Sequence, residues 1–215
     1  MKTGWELLRR LVWLLAVAIL IACQIFISGD DDAGKDRKNA PEFAPMAQML
    51  ESPRLVPHAS NDGDSFHIAH AGGSQVFRLY FVDCPEKREY DLVRERLRDQ
   101  AAYFGGISTA QTLQTGKRAQ ERTAELLSSG AFTVYTHWER VYQGDRFYAF
   151  VILANGEHLA ERLVREGLCR IHTKGARLPD GREANAFQNH LRAIQAEARA
   201  AGRGAWEKAR ARATR

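Results

Sequence analysis

The chain has 215 residues, enough for one ordinary domain with an appendage, and its 31 Lys and Arg against 26 Asp and Glu give a net charge of +5. With 45% hydrophobic residues, 27% charged residues and only 6 prolines, the composition excludes a wholly disordered or collagen-like chain. The 3 cysteines include no Cys-x-x-Cys pair, which argues against a zinc ribbon and against a small disulfide-dense protein.

Residues 1–28 have the pattern of a membrane-targeting segment. Basic residues at positions 2, 9 and 10 precede an apolar run at 11–27, and three aspartates follow at 30–32. Basic residues before the run and acidic residues after it favour an N-terminus on the inner side of the membrane. We therefore expect the rest of the chain outside the cytoplasm, either anchored to the membrane or secreted.

Two fates of this segment remain open. The run is near the lower limit for a spanning helix, which needs roughly 17 to 25 residues. The sequence at 20–23, which ends in Cys23, also resembles the lipobox of bacterial lipoproteins, in which that cysteine becomes the lipidated first residue. Residues 29–53, rich in Asp, Lys, Ala and Pro with no sustained period, are predicted to form a flexible tether.

Residues 54–207 are predicted to form the folded domain, followed by a basic tail at 208–215. Short apolar or alternating stretches separated by turn signals predict five strands, at 55–58, 65–69, 75–82, 131–138 and 147–153. Helical periodicity predicts three helices, at 116–127, 158–167 and 183–201. This combination indicates an α+β fold or a small barrel. Residues 87–115 fit neither period cleanly, although 91–103 has the pattern of a polar helix.

Arg78 is the anomaly in the predicted central strand, because its neighbours at 76–82 are apolar on both faces. A guanidinium is costly to bury unpaired, so Arg78 must either face acidic groups or an anion, or extend to the rim of the sheet. Asp83 and Glu86 follow the same strand, and Asp64 begins the preceding one. This grouping favours the first alternative, in which Arg78 faces acidic groups.

Three carboxylates at Asp64, Asp83 and Glu86 offer hard oxygen ligands, which suit Ca²⁺ or Mg²⁺. The sequence has no His or Cys cluster at ligand spacing, which disfavours Zn²⁺. A lone Asp-Gly-Asp sequence such as 62–64 is more often a turn than a metal site. The residues alone therefore leave the metal undecided.

Several motifs taken together resemble the staphylococcal nuclease (thermonuclease) family in order and approximate spacing over residues 54–207. They are Asp-Gly-Asp-Ser at 62–65, Phe-Arg-Leu-Tyr-Phe-Val-Asp-Cys-Pro-Glu at 77–86, Gly-Asp-Arg at 144–146, Asn-Gly at 155–156, Leu-Val-Arg-Glu-Gly-Leu at 163–168 and Gly-Ala-Trp at 204–206.

The resemblance implies a five-stranded OB-fold barrel with three helices that binds Ca²⁺ and hydrolyses phosphodiester bonds of DNA and RNA. The family's functional residues fall on positions of this chain that carry the matching side chains. The metal ligands fall on Asp64, Asp83 and the backbone carbonyl of Cys84, the phosphate-binding arginines on Arg78 and Arg146, and the glutamate that activates or orients the attacking water on Glu86.

This chain departs from the family pattern at two aromatic positions. The aromatic residue expected two positions before the second arginine is Gly144, with Tyr142 nearby, and the tyrosine expected after the second helix is Thr173. The family fold also runs the segments of Cys84 and Cys169 side by side, so the resemblance makes a disulfide between them possible; the alternative is two small buried residues that never meet. A disulfide fits an oxidising compartment.

The sequence therefore predicts a Ca²⁺-dependent nuclease that is tethered to the membrane, acts on DNA or RNA, and carries an insertion at 87–115 beside its active site. The alternative is a module on the same fold that binds nucleic acid without cleaving it. The catalytic residues discriminate the two, because a binding module has no reason to bury Arg78 beside carboxylates.

Overall fold

A computed structural model of the protein describes residues 47–207. The predictions for the membrane-targeting segment and for the basic tail lie outside these residues. Within them, no helix is both long enough and apolar enough to cross a membrane. The first strand begins at Gln48, inside the range 29–53 that the sequence assigns to the tether, and Leu50 is buried. The folded domain therefore includes residues before position 54.

One six-stranded sheet forms the centre of the described domain, and its order is β1-β6-β7-β4-β3-β2. Neighbouring strands are antiparallel except β4 and β7, which are parallel. A separate pair of short antiparallel strands joins β5 to β8. The strands are β1 Gln48–Met49, β2 Arg54–Leu55, β3 Ser65–His70, β4 Gly73–Leu79, β5 Val82–Asp83, β6 Phe132–Arg140, β7 Arg146–Leu153 and β8 Arg170–Ile171.

The sheet must curl, because its two edge strands are close together in the chain. Strands β1 and β2 lie at opposite edges, yet only residues 50–53 separate them. Five steps of extended chain reach about 18 Å, whereas six flat strands spaced about 4.8 Å apart would span about 24 Å. The curl brings the edges together and gives the sheet the form of a partly closed barrel. The predicted α+β class is confirmed.

The predicted strand at 75–82 is divided by a kink. Phe81 has a φ of 70°, a left-handed conformation that is rare for a bulky residue. Its backbone N–H donates to the Lys174 carbonyl, and its own carbonyl accepts from the His172 N–H. The chain thus leaves the main sheet after Leu79 and pairs with β8 instead. The kink turns Asp83 towards the segment around Arg170.

Four α-helices surround the sheet in the described part of the chain, so the prediction of three helices is wrong. The additional helix is α1, Arg94–Tyr103, preceded by a 3₁₀ turn at Asp91–Val93, and it occupies the insertion, where the pattern at 91–103 indicates a polar helix. The other helices are α2 Thr109–Ser129, α3 Leu159–Arg165 and α4 Ala184–Ala200, with a 3₁₀ turn at Gly204–Trp206.

Helix α2 starts seven residues before the predicted position because Ser108 and Gln111 form a capping box. The Ser108 hydroxyl accepts the Gln111 N–H, and the Gln111 side chain accepts the Ser108 N–H. The segment lacks apolar periodicity in its first turns, so periodicity alone misses it.

The main core lies between the inner face of the sheet and the helices, where aromatic and aliphatic side chains from both are buried. A second, smaller apolar cluster joins the end of the insertion to the C-terminal turn. It contains Phe104, Ile107, Ala198, Ala205 and Trp206. This cluster fixes the insertion against the body of the domain, next to the site described below.

Candidate active site

The candidate site forms where β3 and β4 meet the kink before β5. Ser65 and Arg78 are cross-strand partners, so Asp64 lies at the base of β3 beside Arg78. The Leu79 N–H donates to the Asp64 carbonyl at 2.8 Å and fixes this register. The kink then returns Asp83 to the same place. Three residues that are apart in sequence thus meet at one end of the barrel.

Arg78 is buried between the two aspartates that the sequence pairs with it. Its Nη2 lies 2.6 Å from Asp83 Oδ1 and 3.2 Å from Asp64 Oδ2, and its side chain is only 8% exposed. Burial opposes the charged guanidinium, but Asp64 and Asp83 together raise the pKa of Arg78 above its usual value. Arg78 therefore faces acidic groups and does not extend to the rim.

Asp83 is surrounded by three guanidiniums and one amide. Its Oδ1 accepts from Arg78 and Arg96, while its Oδ2 accepts from Arg170 Nε at 2.7 Å and from Gln100 Nε2 at 3.0 Å. Burial alone would raise the pKa of Asp83, but Arg96, Arg78 and Arg170 outweigh it and hold that pKa well below its usual range. Asp83 is therefore ionised and fully hydrogen-bonded.

Asp64 is equally buried but has fewer partners. Its Oδ2 accepts the Cys84 N–H at 2.9 Å, and its Oδ1 accepts the Ser65 hydroxyl at 3.1 Å. Burial raises the pKa of Asp64, and the charge of Arg78 only partly opposes that rise. The turn that presents Asp64 is held by helix α2, because the Thr123 hydroxyl donates to the Gly63 carbonyl at 2.7 Å.

Glu86 lies on the other side of Arg96 from Asp83. Its carboxylate is 2.9 Å from Arg96 Nη1, and its backbone N–H donates to Gln100 Oε1 at 3.0 Å. Burial raises the pKa of Glu86, since the attraction of Arg96 does not offset burial and the nearby aspartates. Gly116 lets α2 approach this loop closely, because a side chain there would collide with the Pro85 and Glu86 carbonyls.

An open cleft of about 500 Å³ lies above the cluster. Arg78 and Asp83 form part of its lining, whereas Asp64 and Glu86 do not. Arg146 begins β7 opposite Val76 and also lines the cleft. Among the described residues, it makes no direct contact with the carboxylates of the cluster. The lining is predominantly basic and includes Arg78, Arg96, Arg140, Arg146, Arg170 and Lys174 against Asp83, Asp99 and Glu139.

The aromatic positions of the cleft follow the departures noted in the sequence. Tyr142 is 88% exposed at the rim and has a φ of 55°. Thr173 lies in the lining, and its hydroxyl is directed at the backbone, 3.3 Å from the Leu79 carbonyl and 3.2 Å from the Val82 carbonyl. Thr173 therefore supports the kink, and Tyr142 is the exposed ring near the arginines.

The sequence interpretation missed three residues of the cluster: Arg96, Gln100 and Arg170. Arg170 had a visible signal, because it stands in the apolar stretch 168–171 much as Arg78 stands in its strand. Arg96 and Gln100 are four residues apart and so share one face of α1. Their partners belong to a loop distant in the sequence, so the helical pattern alone does not reveal their role.

The donor chemistry of this cluster fits a hard divalent cation. Asp64 and Asp83 contact the same Arg78 nitrogen, and Gln100 Nε2 donates both to Asp83 Oδ2 and to the Cys84 carbonyl, so this carbonyl lies near Asp83. Two carboxylates and a carbonyl, completed by water, are ligands typical of Ca²⁺. No group of three or more His, Cys, Asp or Glu residues in 47–207 is arranged to hold a metal by itself.

Cys84 and Cys169 are adjacent in space, as the resemblance implies. Their Cα atoms are 4.1 Å apart and their sulfur atoms are in contact, although 85 residues separate them in sequence. The pair lies beside Asp83 and Arg170, which are directly opposite each other in the β5–β8 pairing. The two strands that carry the site are thus positioned for a covalent link.

The curled sheet, its helices and the basic cleft define an α+β protein of OB-fold type with a buried arginine–carboxylate cluster. The family described as staphylococcal nuclease homologue matches residues 76–208, more than half of the chain, and the chain belongs to this family. Family members are nucleases, and therefore hydrolases, and are in general Ca²⁺-dependent. The match includes Arg78, Asp83 and Arg146 but begins after Asp64. No curated protein matches the chain.

Proposed function

We propose that the protein is a Ca²⁺-dependent nuclease that hydrolyses phosphodiester bonds of DNA, RNA or both outside the cytoplasm. One observation carries the proposal: a guanidinium that is only 8% exposed is held between two carboxylates at the base of a basic cleft. Burying such a cluster costs free energy, because the charges lose their hydration. A protein that only needed a basic surface would not require it.

The arginines supply what phosphodiester hydrolysis requires from a protein. The phosphodiester is anionic and gains negative charge in the transition state, so fixed positive groups near its oxygens lower the barrier. Arg78 is held in one orientation by Asp64 and Asp83, and Arg146 approaches from β7 across the same cleft. A guanidinium also matches the geometry of phosphate oxygens with two parallel hydrogen bonds. We assign both residues to binding and charge stabilisation.

We assign Asp64, Asp83 and the Cys84 carbonyl to the Ca²⁺ site. When bound, Ca²⁺ would supply further positive charge at the phosphate oxygens and polarise the ester. Asp83 is ionised, as a ligand of a hard cation must be, since the surrounding guanidiniums keep its pKa low. The Cys84 N–H orients the Asp64 carboxylate, and Gln100 Nε2 donates to the Cys84 carbonyl at 3.2 Å.

Glu86 is the candidate for orienting the attacking water and accepting its proton. Water is a weak nucleophile at neutral pH, so a carboxylate within hydrogen-bond reach accelerates its attack. Burial and the neighbouring aspartates raise the pKa of Glu86, which makes its carboxylate a stronger base than an exposed one. Its position is fixed from both sides, by Gln100 at the backbone and by Arg96 at the side chain.

The location outside the cytoplasm rests on residues 1–28. The basic residues before the apolar run and the acidic residues after it support an outward orientation of the domain. The contact between Cys84 and Cys169 also fits an oxidising compartment. Membrane attachment, through a spanning helix or through lipidated Cys23, is part of the same proposal.

The test uses the full-length chain purified in mild detergent and incubated with supercoiled plasmid DNA or single-stranded RNA. We expect cleavage with Ca²⁺ and none with a calcium chelator. Arg78→Met, which keeps an unbranched apolar stem but removes the guanidinium and its charge, should abolish cleavage. Arg192→Met, on the exposed face of α4, is the matched control and should cleave like the wild type. Binding of nucleic acid with no cleavage would instead support the non-catalytic OB-fold module.

A further inference from the structure

The carboxylate of Asp83 has no free hydrogen-bonding position. A carboxylate offers about four lone-pair sites, and four donors occupy them: Arg78 and Arg96 on one oxygen, Arg170 and Gln100 on the other. A cation that binds Asp83 must therefore displace at least one donor. The exposure of each donor's side chain indicates which of the four is able to leave.

Burial separates Arg96 from the other three donors. The side chains of Arg78 and Arg170 are 8% and 6% exposed, and Gln100 is fully buried, whereas the side chain of Arg96 is 39% exposed. Arg78 also lies on strand β4 and Arg170 on strand β8, both of which form part of the site. Arg96 extends from α1, which belongs to the insertion, and it lines the open cleft. Its departure therefore costs less burial than the departure of any of the other three donors.

Arg96 contacts two of the residues that the proposed reaction requires. One guanidinium nitrogen bonds to Asp83 Oδ1, and the other lies 2.9 Å from Glu86 Oε1. In this position, Arg96 forms ion pairs with both the proposed calcium ligand Asp83 and the proposed base Glu86. The arrangement stabilises the cluster, but it occupies the oxygens that a cation and a water molecule need.

We propose that Arg96 is a built-in competitor of calcium, which occupies Asp83 and Glu86 in the metal-free protein and is displaced when the cation binds. The inference rests on the proposed function for its assignment of Asp83 and Glu86. Helix α1 of the insertion thereby sets the calcium concentration at which the site assembles. Gln100, four residues further along α1, stays in place and keeps the helix attached to Asp83 and the Cys84 carbonyl.

Two effects add in this competition. The guanidinium repels an approaching dication by its charge, and it also occupies a coordinating oxygen. Arg98 separates the effects, because it lies on the same helix with the same charge but is exposed and lines no part of the cleft. Loss of Arg98 removes a charge nearby, whereas loss of Arg96 frees an oxygen as well.

The experiment is a calorimetric titration of the full-length chain with Ca²⁺ alone, in the absence of nucleic acid. We expect Arg96→Gln and Arg96→Met to bind Ca²⁺ at least about tenfold more tightly than the wild type, which is about 1.4 kcal/mol. Arg98→Gln should stay within about twofold of the wild type. Arg96→Gln combined with Asp64→Asn gives the background from calcium bound elsewhere, such as at the aspartates 30–32. Thermal melts followed by circular dichroism establish that each variant is folded.

Equal or weaker calcium binding by both Arg96 variants would overturn the proposal, as would an equal gain in Arg98→Gln. The titration needs no substrate, so its result is independent of nuclease activity. A protein that cleaves nucleic acid with Ca²⁺ but gains no affinity on loss of Arg96 keeps the proposed function and loses this inference. A protein that gains affinity but never cleaves loses the proposed function alone.

Discussion

Asp83 and Arg170 are directly opposite each other in the β5–β8 pair, and Arg170 Nε donates to Asp83 Oδ2 at 2.7 Å although 87 residues separate them. Both side chains are almost fully buried. This ion pair joins the segment after the barrel kink to the segment after α3. The ion pair therefore links the part of the candidate site on β5 to the part on β8.

We expect Arg170→Met to lower the free energy of unfolding by about 1.5 to 3 kcal/mol, the range for a hydrogen bond to a charged group. The loss should stay below that of an uncompensated buried charge, because Arg78 and Arg96 still neutralise Asp83. Urea denaturation of both proteins measures it. Arg177→Met, whose partner is the exposed Glu183, is the control and should change stability by less than about 1 kcal/mol. Similar values for the two variants would show that the buried pair contributes no more than a surface one.

Asp64→Asn should lose calcium binding while the protein remains folded. The amide has nearly the shape of the carboxylate and keeps one oxygen to accept the Cys84 N–H, so packing is preserved. The substitution removes the negative charge with which Asp64 would bind a hard cation. Calcium titration by calorimetry measures the change, and Asp99→Asn, at the cleft lining but outside the cluster, should bind like the wild type. Wild-type affinity in Asp64→Asn would contradict the assignment of this ligand.

Replacing Arg78 or Arg146 by Lys should reduce turnover by on the order of a hundredfold at saturating Ca²⁺. Lysine keeps the charge but does not reproduce the paired hydrogen bonds of a guanidinium. Cleavage rates on plasmid DNA measure the effect, and Arg192→Lys on α4 is the control that should retain full turnover. Near-normal turnover in both site variants would mean that neither arginine acts on the transition state.

The sequence predicts the strands of the main sheet well where the apolar pattern is strong. The predicted strands near β3, β6 and β7 match within one or two residues. It fails at Phe81, because a left-handed kink inside an apolar stretch leaves the hydrophobic pattern unchanged. At α1 the pattern at 91–103 indicates the helix, but not the contacts of Arg96 and Gln100, which depend on a distant loop. Tertiary contacts, not local preference, fix both features.

The same division holds for the candidate site. Asp64, Arg78 and Asp83 could be grouped from the sequence because one buried arginine demanded acidic partners, and the structure places them in contact. Arg170 carries a signal of its own in the apolar stretch 168–171, but its partner and the roles of Arg96 and Gln100 arise only where separate elements converge on folding. Burial raises the pKa of Asp83, and the charges of Arg96 on α1 and Arg170 on β8 act together with Arg78 to lower it.

Cys84 and Cys169 provide the last prediction, because their contact permits a disulfide that closes a loop of 85 residues. In the chain-entropy model a loop of that length stabilises the folded state by about 4 kcal/mol, since it restricts the unfolded chain. We expect reduction of the denatured full-length chain to expose two thiols more than the unreduced chain has, whatever the state of Cys23. Cys84→Ala, Cys169→Ala and the double variant should lose similar stability, because either single change already removes the link. Equal thiol counts with and without reductant would contradict the disulfide and leave two buried free thiols beside the site.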